Sequence, residues 1–415
     1  MRRLSRLPLL LLAVFLALAA APPAAPPRPA AATTGAPVLE LVESFPVETT
    51  LDHPDLRDAW QVWPEMIDGA RRSLDIAEFY VSNEPGSRLE PVIAAVERAA
   101  GRGVAVRLLG DAKFAKTYPD TLARLAKRPG IEVRTIDYGA LAGGVLHAKY
   151  FLVDGREVYL GSQNFDWRSL QHIQELGVRV VEPAVARAVA DLFATDWALA
   201  GGAAKSFRAP APPSGYGFPV RMGDGAGATT VTLVASPRDW LPDESLWDLP
   251  RLVQVIDGAR STVRVQLLTY RAMARGEYFD TLESALRRAA ARGVQVELLV
   301  AHWSQSKGNI EGLQSLEAIP GIHVRLLTVP PWSGGFIPFA RVNHAKYLVV
   351  DGSHSWIGTG NWESDYFYRS RNLGLLIDGA QVGEQLERFF ASGWTSPYSA
   401  EVDPCRHYEA PRVAE

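Results

Sequence analysis

The sequence predicts an α/β protein in which one arrangement of sheet and helices is written twice. Three observations carry that reading. Blocks of sequence recur at a nearly constant spacing, and short apolar strands alternate with Ala- and Arg-rich helical stretches inside each block. An unusual segment, "HAKYFLVDG" from His147, returns as "HAKYLVVDG" from His344, 197 residues later. Repeats of this length describe duplicated domains, and strands alternating with helices describe a sheet covered by helices.

The 415 residues are 47% hydrophobic and 21% charged, a globular composition with room for about two domains. A formal net charge of −3 argues against a broad basic coat for duplex DNA, which needs an excess of Lys and Arg. A local basic pocket stays open.

At the N-terminus, Arg2, Arg3 and Arg6 precede an apolar run from Leu7 to Ala20 and small residues around Ala21, the pattern of a secretory signal over residues 1–21. The expectation is a secreted or periplasmic protein, with an uncleaved anchor as the alternative. Residues 22–37 are Pro/Ala-rich and read as a tether. The single cysteine, Cys405, allows no internal disulfide and no cysteine zinc cluster, and no HExxH occurs among the eight histidines. No metal or cofactor is expected.

The first domain is expected over residues 38–200, a Pro/Gly-rich link over 201–228, the second domain over 229–400 and a tail over 401–415. "IDGARRSLDIAEFY" from Ile67 matches "IDGARSTVRVQLLTY" from Ile256, a helix leading into an apolar strand that ends at Tyr80 or Tyr270. "RAAGRGVAVRLL" from Arg98 matches "RAAARGVQVELL" from Arg288, a helix stopping near Gly103 or Gly293 and a strand after it. "PGIEVR" from Pro129 and "PGIHVR" from Pro320 open the next strand.

The opening segment then follows in each half. On a strand, residues two apart share a face, so His147 points with Lys149 and His344 with Lys346. Asp154-Gly155 and Asp351-Gly352 read as hairpin turns. The return strands end in "GSQN" (Gly161 to Asn164) and "GTGN" (Gly358 to Asn361), which brings a hydroxyl and an amide back towards each histidine. A lone strand histidine is more often a packing residue, and Asp-Gly more often merely a turn. Lysine usage speaks against that here: only 7 of the 43 basic residues are Lys, yet both positions two after the histidine are Lys. A compact ammonium suits a phosphate oxygen in a tight pocket. His, Lys, hydroxyl and Asn together supply a nucleophile or acid, positive charge and neutral donors, the set needed for phosphoryl transfer.

These residues resemble the phospholipase D superfamily, whose HxKxxxxD signature followed by GSxN is met at His147, Lys149, Asp154, Ser162 and Asn164. The second copy is met at His344, Lys346, Asp351, Thr359 and Asn361, with Thr in place of Ser. "SLDIAEFY", "FDWRSLQHIQELGV" and "PFARVNHAKY" are more narrowly similar to the animal lysosomal branch of 5′ exonucleases on single-stranded DNA and RNA, to which lysophospholipid transphosphatidylation is also ascribed. The resemblance implies two duplicated α/β domains, each a mixed sheet flanked by helices, related by a pseudo-twofold axis with one shared active site. It further implies that one histidine attacks phosphorus to give a phosphohistidine while the other protonates the leaving oxygen. Lys149, Lys346, Asn164 and Asn361, with Ser162 and Thr359, would hold phosphate oxygens. Asp154 and Asp351 would lock strands and lysines. The chain departs from that branch in lacking disulfide-forming cysteines.

The two copies differ 28 residues beyond the histidine, where the first has Glu175 and the second Asn372. A carboxylate on the far ring nitrogen fixes a histidine's tautomer and favours a cationic intermediate. On chain proximity, Glu175 is expected to orient His147, making His147 the nucleophile and His344 the acid. Trp332, Phe336, Phe339, Trp356, Trp362, Tyr366, Phe367 and Tyr368 surround the second motif and suit base stacking, acyl chains or core packing alike. The Pro/Gly-rich segment Thr328 to Asn343 is a candidate lid or rim.

The substrate is therefore expected to be a phosphodiester, either single-stranded nucleic acid or a phospholipid head group at a membrane surface. No obligate protein partner is evident. A binding protein that has lost catalysis is the reading from another class, and two complete motifs speak against it.

Overall fold

The computed structural model describes residues 38–274 and 277–414, so the signal and tether expected over residues 1–37 lie outside the described residues. The described chain is built from two seven-stranded arrangements with the same order of elements. The first runs β1 (Val38–Ser44), α1 (Ala59–Gly69), β2 (Ser73–Glu78), α2 (Glu90–Gly101), β3 (Ala105–Asp111), α3 (Pro119–Ala126) and β4 (Ile131–Ile136). It continues through β5 (Tyr150–Val153), β6 (Glu157–Gly161), β7 (Ile173–Val181) and α4 (Pro183–Ala200). The second repeats this as β8 (Thr229–Ser236), α5 (Asp248–Asp257), β9 (Thr262–Leu267), α6 (Thr281–Ala291), β10 (Gln295–Ala301), α7 (Ile310–Glu317) and β11 (Ile322–Leu327). It closes with β12 (Tyr347–Val350), β13 (His354–Gly358), β14 (Asn372–Asp378) and α8 (Ala380–Trp394).

Seven strands of each nine-stranded sheet follow equivalent orders, β1-β7-β6-β5-β2-β3-β4 and β8-β14-β13-β12-β9-β10-β11. Strands β2, β3 and β4 are parallel, as are β9, β10 and β11, because helices return the chain between them. The motif strands join each set through an antiparallel pair, β5 on β2 and β12 on β9. Val220–Met222 adds an edge to β8, so the second sheet already begins inside the segment read from the sequence as a link. The helices stop where expected: Gly103 and Gly293 take φ of 88° and 89°, a left-handed backbone that glycine adopts without strain.

One apolar core runs through both halves, joining Leu152, Leu160, Val178 and Phe193 to Tyr347, Val349, Leu375 and Phe389. The join also crosses backbone to backbone. Ile173 and Gln174, at the head of β7, pair with Val342 and Asn343 just before the second histidine, and Leu146 bridges Arg371 just before β14. As a result the His344 N–H donates to Gln174 O at 2.8 Å, and the His147 N–H donates to Arg371 O at 2.9 Å. Each motif histidine is thus tied to the first residues of a strand in the other half. Arg371 is itself held by a buried, bidentate pair with Asp196 of α4, both contacts at 2.9 Å, while Tyr138 OH donates to the same carboxylate at 2.6 Å.

Candidate active site

His147 and His344 lie three residues ahead of β5 and β12, His147 buried and His344 half-buried, and both face one cavity of about 500 Å³. The alternation expected from the sequence holds. Lys149 and Lys346 lie two residues on, wholly buried, and each Nζ donates to the carbonyl of its own histidine at 2.5 Å. Each ammonium is thereby fixed beside a ring while keeping further N–H groups for a ligand.

The aspartates lie elsewhere. Asp154 and Asp351 occupy the hairpin turns at the opposite end of those strands, with φ of 54° and 51°. Asp154 accepts the backbone N–H groups of Arg72 at 2.7 Å and Ser73 at 3.0 Å, and Asp351 those of Ser261 at 2.8 Å and Thr262 at 2.9 Å. They pin the hairpin to the start of β2 or β9 and touch neither lysine. Their role as strand locks fits this geometry; a direct catalytic role does not, because they lie outside the cavity.

The expected pairing of Glu175 with His147 is not formed. Glu175 Oε2 accepts from His344 Nδ1 at 2.7 Å, and the group facing His147 Nδ1 is Asn372 Oδ1 at 3.2 Å. The cause is the backbone exchange described above: Glu175 follows Gln174, whose carbonyl holds His344, and Asn372 follows Arg371, whose carbonyl holds His147. A residue 28 positions beyond one histidine therefore serves the other.

The hydroxyls also differ from expectation. Ser162 Oγ donates to Leu176 O at 3.1 Å and accepts from Leu176 N at 3.0 Å, so it is spent on β7 beside Glu175. Thr359 Oγ1 donates to Asn372 Oδ1 at 2.9 Å and accepts from Leu373 N at 3.2 Å. Both are fully buried and fix the groups behind the histidines; neither is free for phosphate. Ser169, missed in the sequence, does the same by donating to Glu175 Oε1 at 2.5 Å. Asn372 Nδ2 donates to Tyr366 O and Ser370 O, which turns Oδ1 towards His147. In both halves Nδ1–H is the donor, leaving the Nε2 lone pair available. Of the two amides, Asn164 lines the cavity with its Oδ1 buried and unpartnered, whereas Asn361 Nδ2 donates to Tyr366 OH at 3.2 Å.

Burial is the leading influence on the charges. It holds both imidazoles well below the usual histidine range, assisted by the two lysines, and it drops Lys346 well below an ordinary amine. Burial lowers Lys149 to about 7 against the pull of Glu78 and Glu175. Burial likewise raises Glu175 to about 7 against the two lysines. The result is two rings held neutral beside two lysines whose charged form burial disfavours and a phosphate anion would restore.

The aromatic wall comes mainly from the first half. Phe79, Tyr80, Phe114 and Tyr118 line the cavity, joined by Trp303, Phe339 and Tyr366 from the second. Of the aromatics singled out in the sequence, Trp356, Trp362 and Phe367 are core. Trp332 and Phe336 line a neighbouring cavity, and Tyr368 packs on Trp247. The signal for the missed wall was available: Phe79 and Tyr80 directly follow β2 and Phe114 follows β3, and ligands in α/β sheets gather at the carboxyl ends of strands. The segment Thr328 to Asn343 is a pinned rim, with Arg168 Nη1 on Pro338 O, Arg341 Nη1 on Val47 O and Phe339 N on Val413 O. Among the described residues, the group with metal-ligand reach is Glu317, His323 and Glu401, on β11 and its flanks and outside this cavity.

The comparisons agree with the geometry. A family model described as cardiolipin synthase, PLD-like domain, matches the chain twice, over residues 64–197 and 252–394. The chain is 31% identical to Phospholipase D Z of Dictyostelium discoideum over 394 residues, covering 88% of this chain and 90% of that protein. It is 33% identical over 399 residues to 5′-3′ exonuclease PLD3 of Homo sapiens, and 31% over 405 residues to 5′-3′ exonuclease PLD4 of Mus musculus. Both of those matches cover 88% of this chain and 80% of the relative. Among solved structures, the phosphatidylserine synthase of Haemophilus influenzae superposes with a TM-score of 0.57 over 82% of this chain and 85% of that one, at 14% identity, a likeness of fold. With two matching domain copies and two histidines facing one cavity, each backed by its buried lysine, the chain belongs to the phospholipase D family and is a phosphodiesterase.

Proposed function

We propose that the enzyme hydrolyses single-stranded nucleic acid from its 5′ end through a phosphohistidine, with His344 as nucleophile and His147 as acid and base. One observation carries the assignment of roles: the buried carboxylate of Glu175 bonds His344 Nδ1, while His147 has only the neutral Asn372. As His344 Nε2 attacks phosphorus its ring becomes cationic, and the adjacent carboxylate offsets that charge. The bond to the leaving oxygen breaks as His147 Nε2 gives up a proton to it. Water then attacks from the vacated side, His147 takes its proton, and the phosphorus–nitrogen bond breaks. An anionic diester between Lys149 and Lys346 raises the basicity of His147, which supplies the proton that burial alone would deny it. The lysines stabilise charge on the non-bridging oxygens.

Nucleic acid is favoured over lipid by the aromatic wall of Phe79, Tyr80, Phe114 and Tyr118, which suits base stacking, and by similarity to proteins named 5′-3′ exonucleases. Cleavage of phospholipid head groups is the second reading, favoured by the similarity to Phospholipase D Z. Export of the protein belongs to the same proposal and rests on the Arg-led apolar run of residues 2–20.

The test measures degradation of single-stranded DNA bearing a free 5′-hydroxyl, in EDTA, beside release of head groups from phospholipid vesicles. The expected result is DNA degradation indifferent to EDTA, with His147→Ala and His344→Ala each losing at least about a thousandfold. Lipid cleavage without DNA cleavage would replace the nuclease reading. Full activity in either variant would overturn the two-histidine mechanism.

A further inference from the structure

A second cavity, of about 410 Å³, shares Trp303 as a wall with the catalytic one. Trp332 and Phe336 line it together with Arg341, Arg412 and His302, so an apolar surface meets two guanidinium groups. Two polar atoms of the residues that line it are buried without a partner: Arg341 Nη2 and His302 Nδ1. The first is the more telling. Arg341 is 6% exposed, and its other donors meet only neutral carbonyls, Nε on Pro330 O and Nη1 on Val47 O, both at 2.7 Å. Glu48, the carboxylate in its field, is engaged by Ser333 N and Oγ. A buried cation with a free N–H and no bonded counter-ion is costly unless an anion completes it.

The placement is specific. Arg341 lies three residues before His344, at most about 10 Å of chain. Its φ of 54° is left-handed, a strained conformation for a side chain of this size and one that concentrates at ligand sites. Arg412 also lines the cavity, its guanidinium 3.9 Å from the centre of the Phe336 ring.

We infer that this cavity is the subsite for the nucleotide beyond the scissile linkage, its phosphate meeting Arg341 Nη2 and its base lying against Trp332 and Phe336. The inference rests on the nuclease reading and names a binding site for it. An acyl chain in the same cavity would leave Arg341 Nη2 without a partner, and the phosphate of a nucleotide would not.

The test compares kcat/KM of the full-chain enzyme on a thymidine dinucleotide, which has only the scissile phosphate, and on the trinucleotide. A trinucleotide with a neutral methylphosphonate at its second linkage is the third substrate. The trinucleotide is expected to exceed the dinucleotide by about tenfold, the methylphosphonate to forfeit most of that gain, and Trp332→Ala to reduce it. Methylphosphonate is read on the unaltered protein, so the result does not depend on a variant folding. Equal rates on dinucleotide and trinucleotide would overturn the subsite while leaving the nuclease reading intact. Cleavage of neither, with lysophospholipid cleavage that depends on chain length and on Trp332, would overturn both in favour of an acyl pocket.

Discussion

Glu175 and His344 are 169 residues apart in the chain, and their side chains meet at 2.7 Å in a part-buried bond between a carboxylate and an imidazole. The equivalent bond in the other half runs from His147 to the amide of Asn372 at 3.2 Å. A pseudo-symmetric pair of histidines is thus made chemically unequal by one substitution, carboxylate for amide, at a position exchanged across the domain join.

Removing the charge and keeping the shape tests that inequality. Glu175→Gln is expected to slow hydrolysis about a hundredfold or more, since the ring it orients would lose both its tautomer bias and its counter-charge. With the activated diester bis(p-nitrophenyl) phosphate, which needs little help in expelling its leaving group, His147→Ala should still accumulate an acid-labile phosphoenzyme on rapid quenching. His344→Ala should not. Phosphoenzyme in the second variant would return the nucleophile to His147.

The buried lysines set the alkaline limit. Burial lowers Lys149 to about 7, so it is charged below that pH and neutral above it, and it loses its hold on a phosphate anion as the pH rises. Glu175, raised to about 7 by burial, belongs to the same cluster, so the transition is shared between them. The free-enzyme profile, kcat/KM against pH, is expected to fall from about pH 7 upwards, and the fall in kcat should lie at higher pH because bound phosphate stabilises the ammonium. A profile of kcat/KM that stays flat to pH 9 would contradict this.

Two aspartates outside the cavity separate stability from catalysis. Asp196→Asn leaves Arg371 buried without its counter-charge and is expected to cost about 3–5 kcal/mol in urea unfolding, with loss of activity because Arg371 O holds the His147 N–H. Asp351→Ala removes a turn lock and is expected to cost about 1–2 kcal/mol, with catalysis retained. Burial alone would raise Asp351, but the N–H groups of Thr262, Arg260 and Ser261 and the Ser261 hydroxyl bring it down to about 2. A depressed carboxylate stabilises the fold above its unfolded value and stops doing so as the pH falls towards 2. The difference in unfolding free energy between the native chain and Asp351→Ala should therefore shrink from pH 6 to pH 2.5.

Much of this architecture was legible because duplication repeats local signals. The alternation that puts His147 with Lys149, the Asp-Gly turns and the helix stops at Gly103 and Gly293 depend on backbone geometry within a few residues. The aromatic wall was harder to see, since Phe79 and Tyr80 follow β2 whereas Phe114 and Tyr118 follow β3, and the two segments meet only when those strands lie side by side. Ser162 and Thr359 sit at the positions expected from the motif, but what their hydroxyls bond depends on the neighbouring strands, β7 and β14.

The sequence by itself determined that the chain is two copies of one α/β unit, which residues make up the two motifs, and that the copies differ at Glu175 and Asn372. Only the tertiary structure decided which histidine each of those residues serves. An offset of 28 residues measures distance along the chain, whereas orientation of a ring depends on contact through space. The join between the two halves seats the residues leading into each motif strand against the head of the other half's last strand, and the carboxylate of the first copy comes to stand behind the histidine of the second.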